Sequence, residues 1–284
     1  MMDEWRRIIV DRALPDRVKD KIDNLSLTLN SAGYDRWGLS PSTIREAMTL
    51  CHWIYSHYFR VETKGSEHIP KGPVMLVANH GGQIPIDGFL IALSLLLDGS
   101  PPRVVRGMVD DWVPSLPFVG KLYTECGEVV GSPENCEDML DHGEAVLVFP
   151  EGVRGSGKPF SKRYQLQEFG TGFMRIALEK KVPMIPVAVI GTEEAYPALG
   201  NFKPLAKLLK FPYFPITPFF PWLGPLGALP LPCKVRIRYG EPLNFQADPD
   251  ISESELHLLI EEVKANLKKE IDKELRIRRG RWFT

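Results

Sequence analysis

PVMLVANHGGQIPIDGFLIALSLL, residues 73 to 96, decides the fold. The apolar run Val74–Ala78 suits a strand covered on both faces. It ends at Asn79-His80, a glycine pair follows, and Pro85 opens a second apolar run suited to a helix. A buried strand, a glycine turn and a helix make the first part of a parallel crossover unit. His80 then lies beyond the strand's carboxyl end, where α/β sheets place ligands. Asp87 falls in the first helical turn, where the helix dipole favours a carboxylate. If the glycines fold the turn back, Asp87 can fix the tautomer of His80 and stabilise its cationic form. The other ring nitrogen is then left as a general base. The same residues also fit a helix-capping carboxylate beside an ordinary loop histidine.

Outward from this stretch, short apolar runs alternate with helical segments. Strands are expected at Val104–Val109, Glu128–Val130, Ala145–Phe149, Met184–Ile190 and Lys234–Tyr239, and helices at 86–97, 133–142, 170–181 and 192–199. The pattern predicts an α/β fold with a mixed, largely parallel central sheet flanked by helices. Residues 1–60 read as an N-terminal helical extension. A stripe of Leu14, Val18, Ile22, Leu25 and Leu29 is followed by a second helix that starts at Ser40-Pro41 and carries Ile44, Ala47, Met48, Cys51, Tyr55 and Tyr58 on one side. Residues 61–284 form the main unit, closed by an amphipathic helix over 252–275 that opens with a Ser252/Glu255 capping box.

The 284 residues carry 35 basic and 36 acidic side chains, a net charge of -1, which offers nucleic acid no partner. The four cysteines are far apart with no metal-ligand spacing, so no metal, no disulfide framework and a reducing, cytoplasmic compartment are expected. No GxSxG, GxxxxGK[ST] or GxGxxG motif follows a strand, which disfavours serine hydrolases, P-loop enzymes and dinucleotide chemistry.

A second constellation is AVLVFPEGVRGSGKPF, residues 145 to 160. A strand run stops at Pro150-Glu151-Gly152, and Arg154, Lys158, Lys162 and Arg163 follow closely. Guanidinium forks and ammonium charges beside accessible glycine backbone suit an anion; a solvated basic loop has the same composition.

Taken in order, these residues resemble the glycerolipid acyltransferases, the glycerol-phosphate and lysophosphatidic acid acyltransferase superfamily. Asn79-His80 through Asp87 is similar to its first block, FPEGVR at 149–154 to its third and MIPVAVIG at 184–191 to its fourth. Asp111-Trp112 to Phe118-Val119-Gly120, leading to Gly127–Val130, resembles the less specific second block. The resemblance implies transfer of an acyl chain from acyl-CoA or acyl carrier protein to a lipid hydroxyl, with no other cofactor and no covalent acyl-enzyme. His80 would deprotonate the hydroxyl and Asp87 would orient it; Glu151, Gly152 and Arg154 would bind the acceptor, with Arg154 on a phosphate. Six residues separate His80 from Asp87, whereas the family's common form has four, which resembles a divergent branch that includes neutral-lipid acyltransferases. Val130 is followed by Gly131-Ser132 where phosphate-using members often carry a basic residue; Lys158, Lys162 and Arg163 could compensate. A lysophospholipid acceptor leads. A neutral acceptor such as diacylglycerol, an idle lipid-binding protein of the same fold and a thioesterase are the rivals.

A lipid acceptor implies a membrane surface, and no run is long and apolar enough for a spanning helix. Phe211–Cys233 has no charge in 23 residues but contains seven prolines, which forbids a helix. A peripheral protein is therefore expected. Its candidate contact surfaces are Trp53–Phe59, the proline-rich segment with Phe214, Phe219, Phe220 and Trp222, and the tail with Arg276, Arg278, Arg279, Arg281, Trp282 and Phe283.

Overall fold

At the centre lies β2 (Val74–Ala78), every residue of it buried. A computed structural model describes residues 10, 12–111, 113–115, 119–202, 204, 207, 214–219, 222–281 and 283. Trp112 and Phe118 of the second block, Phe220 and Trp282 lie outside the described residues. β2 pairs in parallel with β5 (Ala145–Val148) on one side and β6 (Met184–Ile190) on the other. Beyond β5 come β3 (Val105–Val109) and β4 (Val129–Val130), also parallel. Beyond β6, β9 (Arg236–Tyr239) is antiparallel and carries β1 (Glu62–Lys64) parallel to itself at the edge. The result is a mixed, mostly parallel seven-stranded sheet, order β1-β9-β6-β2-β5-β3-β4. A separate ribbon pairs β7 (Gly200–Asn201) with β8 (Pro215–Ile216).

Alternation along each strand divides the core in two. Val74, Leu76, Leu147 and Val187 face α3 (Ile86–Leu97) and, from the N-terminal part, α1 (Asp16–Asp23) and α2 (Pro41–Trp53). Met75, Val77, Val146 and Ala188 face α5 (Pro133–Asp141), α7 (Gly172–Lys180) and the long α9 (Glu253–Arg278). The capping box forms: Glu255 N–H donates to Ser252 Oγ at 3.3 Å and Ser252 N–H to Glu255 Oε2 at 3.1 Å. All five stripe residues of α9, Leu256 through Ile271, are buried, each stabilising the fold by about 2 kcal/mol. Glu274 of α9 accepts from Arg236 and Arg238 of β9, at 2.5 Å each, tying the helix to the sheet edge.

Two expected helices are shorter. The first stops at Asp23 because the Asn24 side chain turns back to the Asp20 carbonyl at 2.7 Å, and Leu29 is left exposed. The helix expected over 192–199 becomes α8 (Thr192–Ala195), with Pro197 shortly beyond its end. Strands β1, β7 and β8, two or three residues each, had no readable alternation. No helix among the described residues is long and apolar enough to cross a membrane.

Candidate active site

β6, β2 and β5 are adjacent and parallel, so their carboxyl ends open on one edge of the sheet. Three loops leave there: Asn79–Pro85, Pro150–Gly152 and Gly191 with α8. Asn79 extends the ladder past the end of β2, its amide donating to Val189 O at 3.0 Å and accepting from Val189 N–H at 2.8 Å. That pins the point at which His80 emerges.

His80 Nδ1 lies 2.6 Å from Asp87 Oδ2. The carboxylate is fully buried and also accepts from the backbone N–H of Gly81 at 2.9 Å and of Gly88 at 2.8 Å. With Nδ1–H committed to Asp87, Nε2 is the free lone pair, and no described residue hydrogen-bonds to it. Phe149 stacks on the imidazole, centroids 4.2 Å apart at 24°, holding the ring plane.

The third-block loop clasps the first. Glu151 accepts from His80 N–H at 2.9 Å and from Gln167 N–H at 2.7 Å, so both of its oxygens serve backbone donors. Gly152 adopts φ +53°, ψ −145°, accessible almost only to glycine, leads into the short α6 (Val153–Ser156) and lines the cavity. Gly155 is the point of closest approach, since a Cβ there would lie 2.7 Å from Glu151 Cβ and 3.0 Å from His80 Cβ.

The expected anion cluster does not assemble. Lys158 is 3% exposed at its side chain; its ammonium lies 3.0 Å from Glu193 Oε1 and 3.7 Å from Glu151 Oε2, and it donates to His80 O at 3.1 Å. Its charge is spent inside the protein, as are the oxygens of Glu151, and the structure places both beneath the histidine loop. Burial pushes the Glu193 carboxyl up to about 7, with Lys158 opposing. Arg154 projects to solvent and pairs with Glu168 at 3.0 Å. Arg163 covers the Phe160 ring at 4.5 Å and borders a different cavity, with Lys264, Lys268 and Arg278. Glu193 carries no motif of its own in the sequence, and although Phe149 opens the third block, only the packing of the strand ends shows its stacking on His80.

His80 stands in the wall of a cavity of about 870 Å³ that runs between the sheet and helices α2, α3 and α4 (Val119–Cys126). Its wall is largely apolar, with Met48, Phe89, Leu93, Leu96 and Met108 among the lining residues. Glu128 also lines it, its carboxyl filling the space left by Gly107, and burial pushes that carboxyl up to about 7. Cys51 and Cys126 line it too, but burial raises their thiols to about 11 and about 12, so neither offers a thiolate near neutral pH. Ser156, also in the wall, turns its hydroxyl to Val153 O at 3.5 Å.

The Acyltransferase family model matches residues 60–190, the segment that holds both motif loops. An uncharacterized protein of Mycobacterium tuberculosis is 42% identical over 196 residues, 68% of this chain and 55% of that protein. A Gallus gallus protein named DGAT1/2-independent enzyme synthesizing storage lipids is 30% identical over 197 residues, 69% of this chain and 55% of that protein. The chain thus spans about half the length of these relatives. The fold is similar to that of the 1-acyl-sn-glycerophosphate acyltransferase PlsC from Thermotoga maritima, with TM-score 0.51, 21% identity and coverage of 84% of this chain and 83% of that one. With the family model spanning both motif loops, residues 60–190 form an Acyltransferase-family segment.

Proposed function

We propose that the protein moves a fatty acyl group from an acyl-CoA or acyl carrier protein thioester to a glycerolipid hydroxyl. The observation that carries this is the His80–Asp87 pair, 2.6 Å apart, in the wall of an apolar cavity. His80 Nε2 takes the proton of the acceptor hydroxyl as its oxygen attacks the thioester carbonyl. Buried Asp87 stabilises the imidazolium that results. The tetrahedral adduct collapses with cleavage of the C–S bond, and the imidazolium returns the proton to the departing thiolate, giving an ester and a free thiol. Positioned acid-base catalysis of this kind contributes about a hundred- to ten-thousand-fold. The apolar cavity suits the acyl chain, and the high thiol pKa values of its cysteines support direct transfer over a covalent acyl-enzyme.

A lysophospholipid is one acceptor, in keeping with the activity named for the Thermotoga maritima structure. A neutral acceptor such as diacylglycerol is the second reading, and a specific observation favours it. Among the described residues the one cation lining the cavity is Arg103, which donates to the carbonyls of Gly72 and Gly143 at 2.9 Å each and of Pro70. The Gallus gallus relative, named for storage-lipid synthesis, points the same way. Work at a lipid surface without a metal completes the proposal. Mass spectrometry of products from acyl-CoA and a mixed pool of lysophospholipids, monoacylglycerols and diacylglycerols tests it. The expected result is a new ester with the unmodified protein and none with His80→Ala. Free fatty acid without ester would make it a thioesterase, and no turnover with any acceptor would make it a lipid binder.

A further inference from the structure

We propose that the ribbon and turns formed by residues 199–202, 214–219 and 222–231, the end of α2 and the arginine-bearing tail form one face that docks on a bilayer carrying anionic headgroups. The inference rests on the acyl-transfer reading only for its purpose; docking itself is measured without turnover.

The described residues of the ribbon and turns are tied to one another by hydrogen bonds and hold apolar side chains outward. β7 and β8 pair, Leu199 N–H donates to Ile216 O at 2.7 Å and Phe202 N–H to Phe214 O at 2.8 Å. Thr217 Oγ1 ties the ribbon to the following turn through Gly227 O at 3.3 Å, and Leu231 N–H closes it on Ala195 O at 2.6 Å. Along this frame Leu199, Phe202, Phe219, Trp222, Leu226 and Leu229 are all exposed, Trp222 at 83% and Leu226 at 69%. Free chains in water seldom keep so many large apolar groups together outside, and such patches mark interaction surfaces.

Neighbouring elements extend the face and give it charge. The Tyr58 hydroxyl donates to Pro230 O at 2.6 Å, which sets the end of α2, with exposed Leu50 and Trp53, beside the segment. Trp53 lies 6.1 Å from the Tyr58 ring. Arg60 donates to Pro232 O at 2.7 Å and to Phe283 O at 3.3 Å, drawing the tail to the same place. There Arg276, Arg279 and Arg281 are exposed around Ile277, and none forms an ion pair with a described residue. Uncompensated guanidinium groups beside apolar and indole side chains complement an anionic headgroup layer over acyl chains; a second copy of this chain would bring its own arginines against them. Phe214 of the ribbon and Tyr196, next to the anchoring Ala195, also line the His80 cavity. The docked face therefore borders the cavity, so a lipid acceptor can reach His80 without crossing water.

The test is flotation of the full chain with phosphatidylcholine vesicles, with and without phosphatidylglycerol, at low and high salt. The expected result is tighter association with the anionic vesicles, lost at high salt. Trp222→Ser with Leu226→Ser and Leu229→Ser should abolish association, and Arg276→Gln with Arg279→Gln and Arg281→Gln should weaken it on anionic vesicles by about a hundredfold. Circular dichroism of both variants checks folding. Quenching of tryptophan fluorescence by brominated lipid, diminished in Trp222→Phe, gives an independent reading in a chain that keeps its apolar surface. Undiminished association of the serine variant, or no quenching assignable to Trp222, would overturn the face. Equal binding to neutral and anionic vesicles would overturn the role of the arginines. A dimer that the serine variant splits, with vesicle binding unchanged, would make the face a subunit contact. Failure here with ester formation intact sinks only the docking face; vesicle binding without acyl transfer sinks only the enzymatic reading.

Discussion

The ammonium of Lys158 donates to the backbone carbonyl of His80 at 3.1 Å, so the loop that carries the imidazole is held from beneath by a buried charge. That charge is balanced by Glu193 at 3.0 Å. Lys158→Met leaves a buried carboxylate unpaired and should cost about 3–5 kcal/mol in urea denaturation. Adding Glu193→Gln should restore more than half of the loss. A single variant of unchanged stability would show that the pair is not the support described.

Asp87→Asn keeps the size of the side chain and an oxygen for Gly81 N–H, but removes the charge that stabilises a protonated His80. We expect kcat for ester formation to fall by about a hundred- to ten-thousand-fold, with stability lowered by about 1–3 kcal/mol because the amide nitrogen faces Gly88 N–H. A variant as active as the parent would show that Asp87 caps the helix and does nothing for the histidine.

Gly155→Ala places a methyl group 3.0 Å from His80 Cβ and 2.7 Å from Glu151 Cβ, both on backbone-anchored loops that cannot yield cheaply. The clasp should open, with kcat lowered about tenfold or more by misplacement of the base. Gly152→Ala should act by conformational strain instead and lower stability by about 1–3 kcal/mol. Calorimetry beside initial rates separates the two.

Arg154 is exposed and, among the described residues, pairs with Glu168. If the acceptor carries a phosphate, Arg154→Gln should raise its KM while leaving kcat nearly unchanged, since a uniform binding contact would be lost. With a diacylglycerol acceptor neither constant should move. Parallel kinetics with both acceptors decides which lipid the site takes.

Glu128 gives the fold a pH dependence of defined sign. Its folded-state carboxyl is pushed up to about 7 by burial, Arg106 opposing, from an ordinary value of 4.5. The folded chain thus keeps a proton that the unfolded chain releases, and stability falls as pH rises from about 4.5 to about 7, by up to about 3 kcal/mol. Glu128→Gln should remove this contribution, so its stability relative to the parent should rise across that window. Chemical denaturation of both proteins at the two ends of the window measures the difference; a constant gap between them would refute it.

The His80–Asp87 pair was legible in the sequence because it is local. One strand end, two glycines and one helical turn bring the residues within reach of each other, although the same spacing also fits a helix cap beside a loop histidine. The strands β2, β3, β5, β6 and β9 and the long α9 were legible for the same kind of reason: apolar runs and a capping box act over a few residues. Nothing local linked Glu193 to Lys158 or Glu151 to His80, because those contacts exist only once β6, β2 and β5 lie side by side. Thus the sequence by itself determined the layer order of apolar and polar segments and the motif pair. Only the tertiary structure decided that Lys158 and Glu151 turn inward, that Arg154 and Arg163 stay away from the cavity, and that Leu199, Phe202, Phe219, Trp222, Leu226 and Leu229 are held outward. The direction a charged side chain takes depends on which desolvated partners the fold brings within reach, and that is a property of the packed sheet, not of the spacing along the chain.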